Sequence, residues 1–416
     1  MLDSSGTFKP RPDEHRLPFE RIALLLQGGG ALGAYQGGVY QALDEADLLP
    51  DWVAGISIGA INSALIAGNP PEKRVEKLRE FWELVSAPPM SSFGVSILPP
   101  IEITDPSIHR VVNQVQAYFV ALLGAPNFFT PRLPPPVLFH PDKPDGLSFY
   151  DTAPLRKTLE RLVDFDRINA GPMRFSVGAV HVRSGNFVYF DTTTHRIGPE
   201  HVIGSGSLPP GFPPTEIDGE YYWDGGIVSN TPLQWVLDSR PRQDTLAFQV
   251  DLWHAAGQVP RSFSEASVRE KEIRYSSRTR AATDQYRKMQ KLRIAVAELI
   301  KDLPEEHRDR PEVRLLEAES DDKVCNIIQL IYRSESYEGL SKDYEFSRAT
   351  MEEHWRAGYN DAIRTLSHPE VLECPGRAEG VRTFDVARAT QQRHKSELEI
   401  QSLDQRSSHD RRGEPR

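Results

Sequence analysis

The sequence predicts an α/β fold, with a mainly parallel central sheet covered by helices on both faces and a mixed α/β C-terminal extension. Three observations carry this. Ile22 to Leu26 is a continuous apolar run, as expected of a strand buried on both faces, and it passes through glycines into a helical stretch. Asp51-Trp52-Val53-Ala54 reads as a second short strand, followed by a helix of small and apolar residues from Ala60 to Ala67. Strand and helix signals then continue to alternate as far as Leu252.

In chain order, residues 1–16 are polar, charged and proline-containing, and are expected to be a flexible N-terminus. A core domain over 17–255 has strand candidates at Ile22–Leu26, Trp52–Ile56, Phe175–Val180, Asn186–Phe190, Tyr221–Trp223 and Thr245–Leu252. Helices are expected at Val39–Asp44, Ala60–Ala67, Lys73–Val85 and Pro154–Leu162. Within the domain, 87–149 is proline-flanked, and Asp105 can cap a helix with Pro106 in its first turn and Gly124 near its end. That helix places Ile108, Val111, Val112, Val115, Phe119 and Leu122 near one face. It is either packed on the core or a lid over the site described below. Residues 256–374 form the C-terminal extension, charged but ordered. Ser264–Leu303 is helical, with Ile273, Met289, Leu292, Ile294, Val296, Leu299 and Ile300 at helical spacing; Val324–Tyr332 is a strand and Phe346–Leu366 an amphipathic helix. The basic run Arg274–Arg280 is read as a solvated face, with contact to a phosphate headgroup as the alternative. From 375 to 416 the chain is polar and charge-mixed, and a disordered tail is expected.

The chemistry concentrates at Gly55-Ile56-Ser57-Ile58-Gly59, where Gly-x-Ser-x-Gly lies between a strand and a helix. This is the pattern of a nucleophile elbow: the serine hydroxyl is exposed on a tight turn, and Gly55 and Gly59 flank it because a Cβ there would clash. The following helix points its free N–H groups at the site. A second cluster, Gln27-Gly28-Gly29-Gly30-Ala31-Leu32-Gly33, ends the first strand and opens a helix, so its backbone N–H groups can converge on an anion. The anion is a phosphate or the oxyanion of a tetrahedral acyl intermediate. Gly28-x-Gly30-x-x-Gly33 also fits the dinucleotide pattern, but the second strand ends in Gly55-Ile56-Ser57 where that pattern wants a carboxylate. Late in the domain, Asp224-Gly225-Gly226 follows an aromatic strand. By itself that is an ordinary Asp-Gly turn.

Taken together, the glycine cluster, the serine pentapeptide and Asp224-Gly225-Gly226, in this order, resemble the patatin-like phospholipase family. Ser205–Pro214 and Asn230-Thr231-Pro232-Leu233 extend the resemblance, which covers roughly residues 20 to 255. It implies a three-layer α/β fold and a Ser-Asp dyad without histidine. Ser57 then attacks an acyl carbonyl, Asp224 accepts and returns the proton, and Gly28, Gly29 and Gly30 supply oxyanion donors. Neither an organic cofactor nor a metal is implied. One departure is Leu32, where many members carry Arg or Lys, so the oxyanion site is expected to rely more on backbone amides. Burial is expected to raise the Asp224 pKa toward neutrality.

His181, His195 and His201 fall between Ser57 and Asp224, and each is read as a structural or solvated imidazole. A net charge of −10 argues against a general nucleic-acid binder and gives no broad attraction to anionic membranes. Two cysteines, Cys325 and Cys374, form no disulfide framework or metal motif. With no apolar h-region near Met1 and no run long enough to span a bilayer, a cytoplasmic enzyme with peripheral membrane contact is expected. The substrate class is a lipid acyl ester. Alternatives are another hydrophobic ester, an intracellular polyester or a thioester, a non-catalytic lipid-binding protein, or a nucleotide-binding oxidoreductase.

Overall fold

A computed structural model describes residues 17–86, 106–136, 144–334, 338–339 and 341–386. The expected flexible N-terminus, the Asp105 cap, the stretches 87–105 and 137–143 of the proline-flanked segment, and 387–416 of the expected tail lie outside the described residues.

The first half of the chain alternates strand and helix as expected: β1 (Arg21–Leu26), α1 (Ala34–Glu45), β2 (Trp52–Ile56), α2 (Ile58–Ala67), α3 (Arg74–Val85) and α4 (Pro106–Leu123). A small antiparallel ribbon, β3 (Thr130–Pro131) with β4 (Tyr150–Asp151), precedes α5 (Ala153–Leu162) and α6 (Phe165–Ala170). Next come β5 (Arg174–His181), β6 (Phe187–Asp191), α7 (Pro199–Ser205), β7 (Thr215–Ile217), β8 (Glu220–Asp224), α8 (Leu233–Asp238) and β9 (Thr245–Asp251). The C-terminal block adds α9 (Phe263–Lys301), α10 (Glu305–Arg308), α11 (Pro311–Glu319), β10 (Cys325–Ile331), α12 (Arg348–Leu366) and β11 (Val381–Phe384).

Nine strands form one sheet in the order β11-β10-β9-β1-β2-β5-β8-β7, with β6 also on β5. Pairing is parallel from β11 to β5 and antiparallel for β6, β7 and β8. Alternate side chains of a strand face opposite sides. Leu24, Leu26, Val53, Phe248 and Ile328 join the larger core, together with residues of α1, α2, α3 and α12. Ala23, Leu25, Ala54, Ala247 and Ile327 face the other way, onto Leu233, Val236 and Leu237 of α8 and Tyr286 of α9. Both faces are therefore covered, as the apolar strands required.

The structure adds three features to this reading. The division at 255 does not divide the sheet, because β10 pairs with β9 along its whole length. Nor does the ordered chain stop at 374: Val381–Phe384 pairs in parallel with β10 despite its mixed composition, because a four-residue edge strand is held by backbone bonds and needs little apolar surface. On α4, Val111, Val115, Phe119 and Leu122 face solvent, and the packed positions are Asn113, Ala117 and Val120. A similar division occurs on α9. Ile294 is buried with Ser276, Thr283, Tyr286 and Gln290, whereas Ile273, Met289, Leu292 and Leu299 are exposed. Helical period locates a stripe, but its partner decides which stripe is buried.

Candidate active site

Ser57 closes β2 and caps α2, with φ 55° and ψ −123°. A non-glycine residue at positive φ is strained, and the surrounding structure must hold it there. A Cβ on Gly55 would lie 2.2 Å from the Gly59 carbonyl oxygen, and one on Gly59 would lie 2.2 Å from the Leu26 carbonyl oxygen. The turn therefore closes only with glycine at both flanks. The Ser57 N–H donates to Ser205 Oγ at 3.0 Å, and that hydroxyl donates to the Gly178 carbonyl at 2.6 Å.

Sheet register carries Asp224 to Ser57. Strand β5 has two edges, and β6 occupies one of them over Ser176–Val180. β2 lies on the other edge, where it ends with Ile56 opposite Gly178. β8 pairs with Ala179–His181, overlapping the stretch that β6 holds, so it must take the edge that β2 vacates. Its last residue, Asp224, stands opposite Ala179, one position beyond the partner of Ile56. The Asp224 carboxylate accepts a hydrogen bond from the Gly226 N–H at 2.7 Å and stands beside the Ser57 side chain, which also favours its charged form. Burial pushes its pKa up to about 6, against the opposing pull of the Ser57 side chain and the Gly226 N–H. Gly225 lies against Gly178 so closely that a Cβ would sit 2.6 Å from the Gly178 carbonyl oxygen.

The glycine loop crosses above. Gly28, Gly29 and Gly30 line the same cavity as Ser57 and Asp224. The N–H of Gly28 is directed to the Asn230 carbonyl at 3.4 Å, while the N–H groups of Gly29 and Gly30 have no acceptor among the described residues. Gly30 has φ 56°, and its Cβ would fall 2.0 Å from the Asp343 carbonyl oxygen. Gly33 serves packing instead, against Ile58 and Trp82. Leu32 is fully buried in the core, so no cation stands at its position.

The cavity holds about 430 Å³ and has a largely apolar wall that includes Phe128, Phe129, Leu155, Phe212 and Phe346. Its size suits a drug-sized or single-acyl ligand. No histidine lines it among the described residues. His181 bonds Ser184 and Glu220, His195 contacts Thr194, and buried His201 accepts from the Gly198 N–H. Sequence reading missed Tyr275, Asp343, Tyr344 and Phe346, which bring the C-terminal block into the wall. No spacing signal tied them to a loop more than 200 residues away.

The model of a family described as patatin-like phospholipase matches residues 24–237, and one described as patatin phospholipase matches 273–378. A triacylglycerol lipase of Arabidopsis thaliana, SDP1L, is 45% identical over 53 residues, which is 13% of this chain and 7% of that protein. The lysophospholipase nte1 of Aspergillus terreus is 50% identical over 52 residues, covering 12% of this chain and 3% of its own. The chain thus spans only a small part of the curated relatives that it matches. VipD from Legionella pneumophila aligns over 94% of this chain and 77% of its own, at 15% identity and a TM-score of 0.38. With the first family model spanning just over half of the 416 residues, the chain belongs to the patatin-like phospholipase family.

Proposed function

We propose that this protein is a lipid acyl hydrolase, cleaving carboxylic esters through an acyl-serine intermediate with Ser57 as nucleophile and Asp224 as base and acid. The observation that carries the reading is the placement of the Ser57 side chain beside a fully buried carboxylate, at a strained turn inside an apolar cavity. A serine hydroxyl needs a base, and an aspartate shifted to about 6 is ionised at neutral pH yet basic enough to take a proton in the transition state. Ser57 Oγ attacks the acyl carbon and its proton passes to Asp224. The carbonyl π pair moves to oxygen, where the Gly29 and Gly30 N–H groups and the N-terminus of α2 receive it. Collapse expels the alkoxide, which takes the proton from Asp224. Water then repeats the sequence on the acyl-serine and releases the acid.

An apolar wall favours a fatty acyl chain, and the lipase and lysophospholipase relatives act on this class by name. Peripheral membrane contact belongs to the same proposal. Val120 and Ala121 of α4 line the cavity, while Val111, Val115, Phe119 and Leu122 of that helix face solvent. No charged residue occurs from Val111 to Pro131, which suits insertion among neutral lipid groups. A cytoplasmic location remains part of the proposal.

The test is hydrolysis of a panel running from short p-nitrophenyl esters through intact phospholipids, with polyester and thioester arms. Wild-type turnover lost in both Ser57→Ala and Asp224→Asn, with folding intact, supports the dyad. Turnover surviving Ser57→Ala removes the nucleophile assignment. Binding of lipid without turnover of any substrate replaces the enzyme by a lipid-binding protein.

A further inference from the structure

We infer that Asn230 and Trp253 are positioning residues that lock the Gly28–Gly29 peptide in the orientation needed to bind an oxyanion; the inference rests on the acyl-hydrolase reading above. A Gly-Gly peptide has little intrinsic preference for either orientation, because neither residue carries a Cβ to restrict its backbone. If this peptide turned over, the Gly28 carbonyl would take the place of the Gly29 N–H. A site for a negative oxygen would then present a negative dipole. Something outside the loop must therefore hold the peptide.

Two side-chain donors do so. Asn230 Nδ2 donates to the Gly28 carbonyl at 3.0 Å, and Trp253 Nε1 donates to the same oxygen at 2.9 Å. Both lone pairs of that carbonyl are thus used. In a trans peptide the C=O and the following N–H point in opposite directions. The Gly29 N–H is therefore held pointing away from Asn230 and Trp253, and no acceptor takes it among the described residues. The next peptide is fixed in the same way, as the Gly29 carbonyl accepts from the Leu32 N–H at 3.2 Å. Ala31 N–H donates to the Asp343 carbonyl at 2.8 Å, tethering the far side of the loop.

The two donors are themselves braced. Fully buried Gln27 accepts from the Leu252 and Trp253 N–H groups through its side-chain oxygen, at 2.7 and 3.1 Å. Its amide nitrogen donates to Thr231 Oγ1 at 3.0 Å and to the Tyr275 carbonyl at 3.3 Å. Asn230 Nδ2 reaches that same carbonyl at 3.4 Å. Two acceptors on one side identify which end of the Asn230 amide is nitrogen. Asn230 follows Asp224 by six residues, so one loop carries both the base and the lock.

The experiment compares Trp253→Phe, Asn230→Ala and the double variant with wild type and Ser57→Ala, on a soluble ester. Trp253→Phe keeps an aromatic ring in place and removes the donor together with part of the indole, and Asn230→Ala removes the other donor without touching the ring. The expected result is a fall in kcat of about tenfold in each single variant and roughly 10²–10³-fold in the double, the range for loss of an oxyanion donor. KM stays constant, and affinity for a trifluoromethyl ketone, which forms a tetrahedral adduct, falls by the same factor as kcat. A folded double variant with wild-type kcat, or one in which KM rises and kcat holds, overturns the inference. If wild type turns over no ester, or Ser57→Ala remains active, the hydrolase reading is what fails. Crystal structures of the two single variants and the double variant then read the lock directly: a rotated Gly28–Gly29 peptide supports it and an unrotated one refutes it.

Discussion

At Asp224 the decisive quantity is the cost of keeping a carboxylate out of water beside a hydroxyl that needs a base. Under the proposed dyad, its pKa of about 6 predicts that kcat/KM falls as pH drops through that value, because a protonated Asp224 could not accept the Ser57 proton. An acidic limb near 4 in a pH–rate profile would contradict the assignment. Asp251, also fully buried, is pushed up to about 7 by burial, so it titrates close by. Asp251→Asn is expected to keep the limb near 6 if Asp224 is the base. The same shift has a sign for stability. Between the ordinary value of 3.8 and about 6, the folded state binds the proton more tightly than the unfolded chain, so stability falls as pH rises through this window. Asp224→Asn should therefore resist urea better than wild type at pH 8, by roughly 1–3 kcal/mol, with the advantage gone below pH 4. Equal midpoints at pH 8 would show that the buried charge carries no such penalty.

Among the elements, α1 shows how a motif can serve two purposes. Gly28 to Gly30 belong to the loop, but Gly37 and Gly38, further along the same glycine-rich stretch, have a packing role. A Cβ on Gly38 would lie 1.9 Å from the Trp355 carbonyl oxygen, and one on Gly358 would lie 2.0 Å from that of Tyr35. α1 and α12 therefore touch backbone to backbone, with Trp355 Nε1 donating to Gln41 at 2.8 Å. Gly38→Ala is expected to destabilise the fold by about 1–3 kcal/mol, the usual cost of overpacking, read from denaturant midpoints. On α4 the prediction concerns lipid. Phe119→Asp with Leu122→Asp should weaken binding to phosphatidylcholine vesicles by tenfold or more while sparing hydrolysis of a short soluble ester. Unchanged vesicle binding would remove α4 from any membrane contact.

For the whole molecule, the C-terminal block is continuous with the preceding part of the chain in both sheet and cavity. Ending the chain at 255 would strip β10 from β9 and uncover Ala247 and Leu233 on one face, and remove α12 from the other. Such a truncation is expected to be insoluble or without a cooperative thermal transition by circular dichroism; a soluble, cooperatively folding product would restore the boundary. Among the described residues no helix is long and apolar enough to cross a membrane. Much of the fold was legible because it is local. The apolar run into β1, the strand–Gly-x-Ser-x-Gly–helix order and the period of α12 are short-range patterns, and they located six strands of the sheet within the core domain to within two residues at each end. Less was legible where partners are remote. β7 and β11 are brief edge strands with weak apolar signal, and the exposed stripe of α4 looks, in sequence, like a buried one. The sequence alone determined the α/β class and the candidate nucleophile, because a strained turn between strand and helix admits only glycine at its tight flanks. Tertiary structure alone decided that β8 fills the edge left by β2, that Asn230 and Trp253 grip the glycine loop, and that residues near 343 wall the cavity. Those contacts join positions hundreds of residues apart, and only the register of the assembled sheet sets their distances.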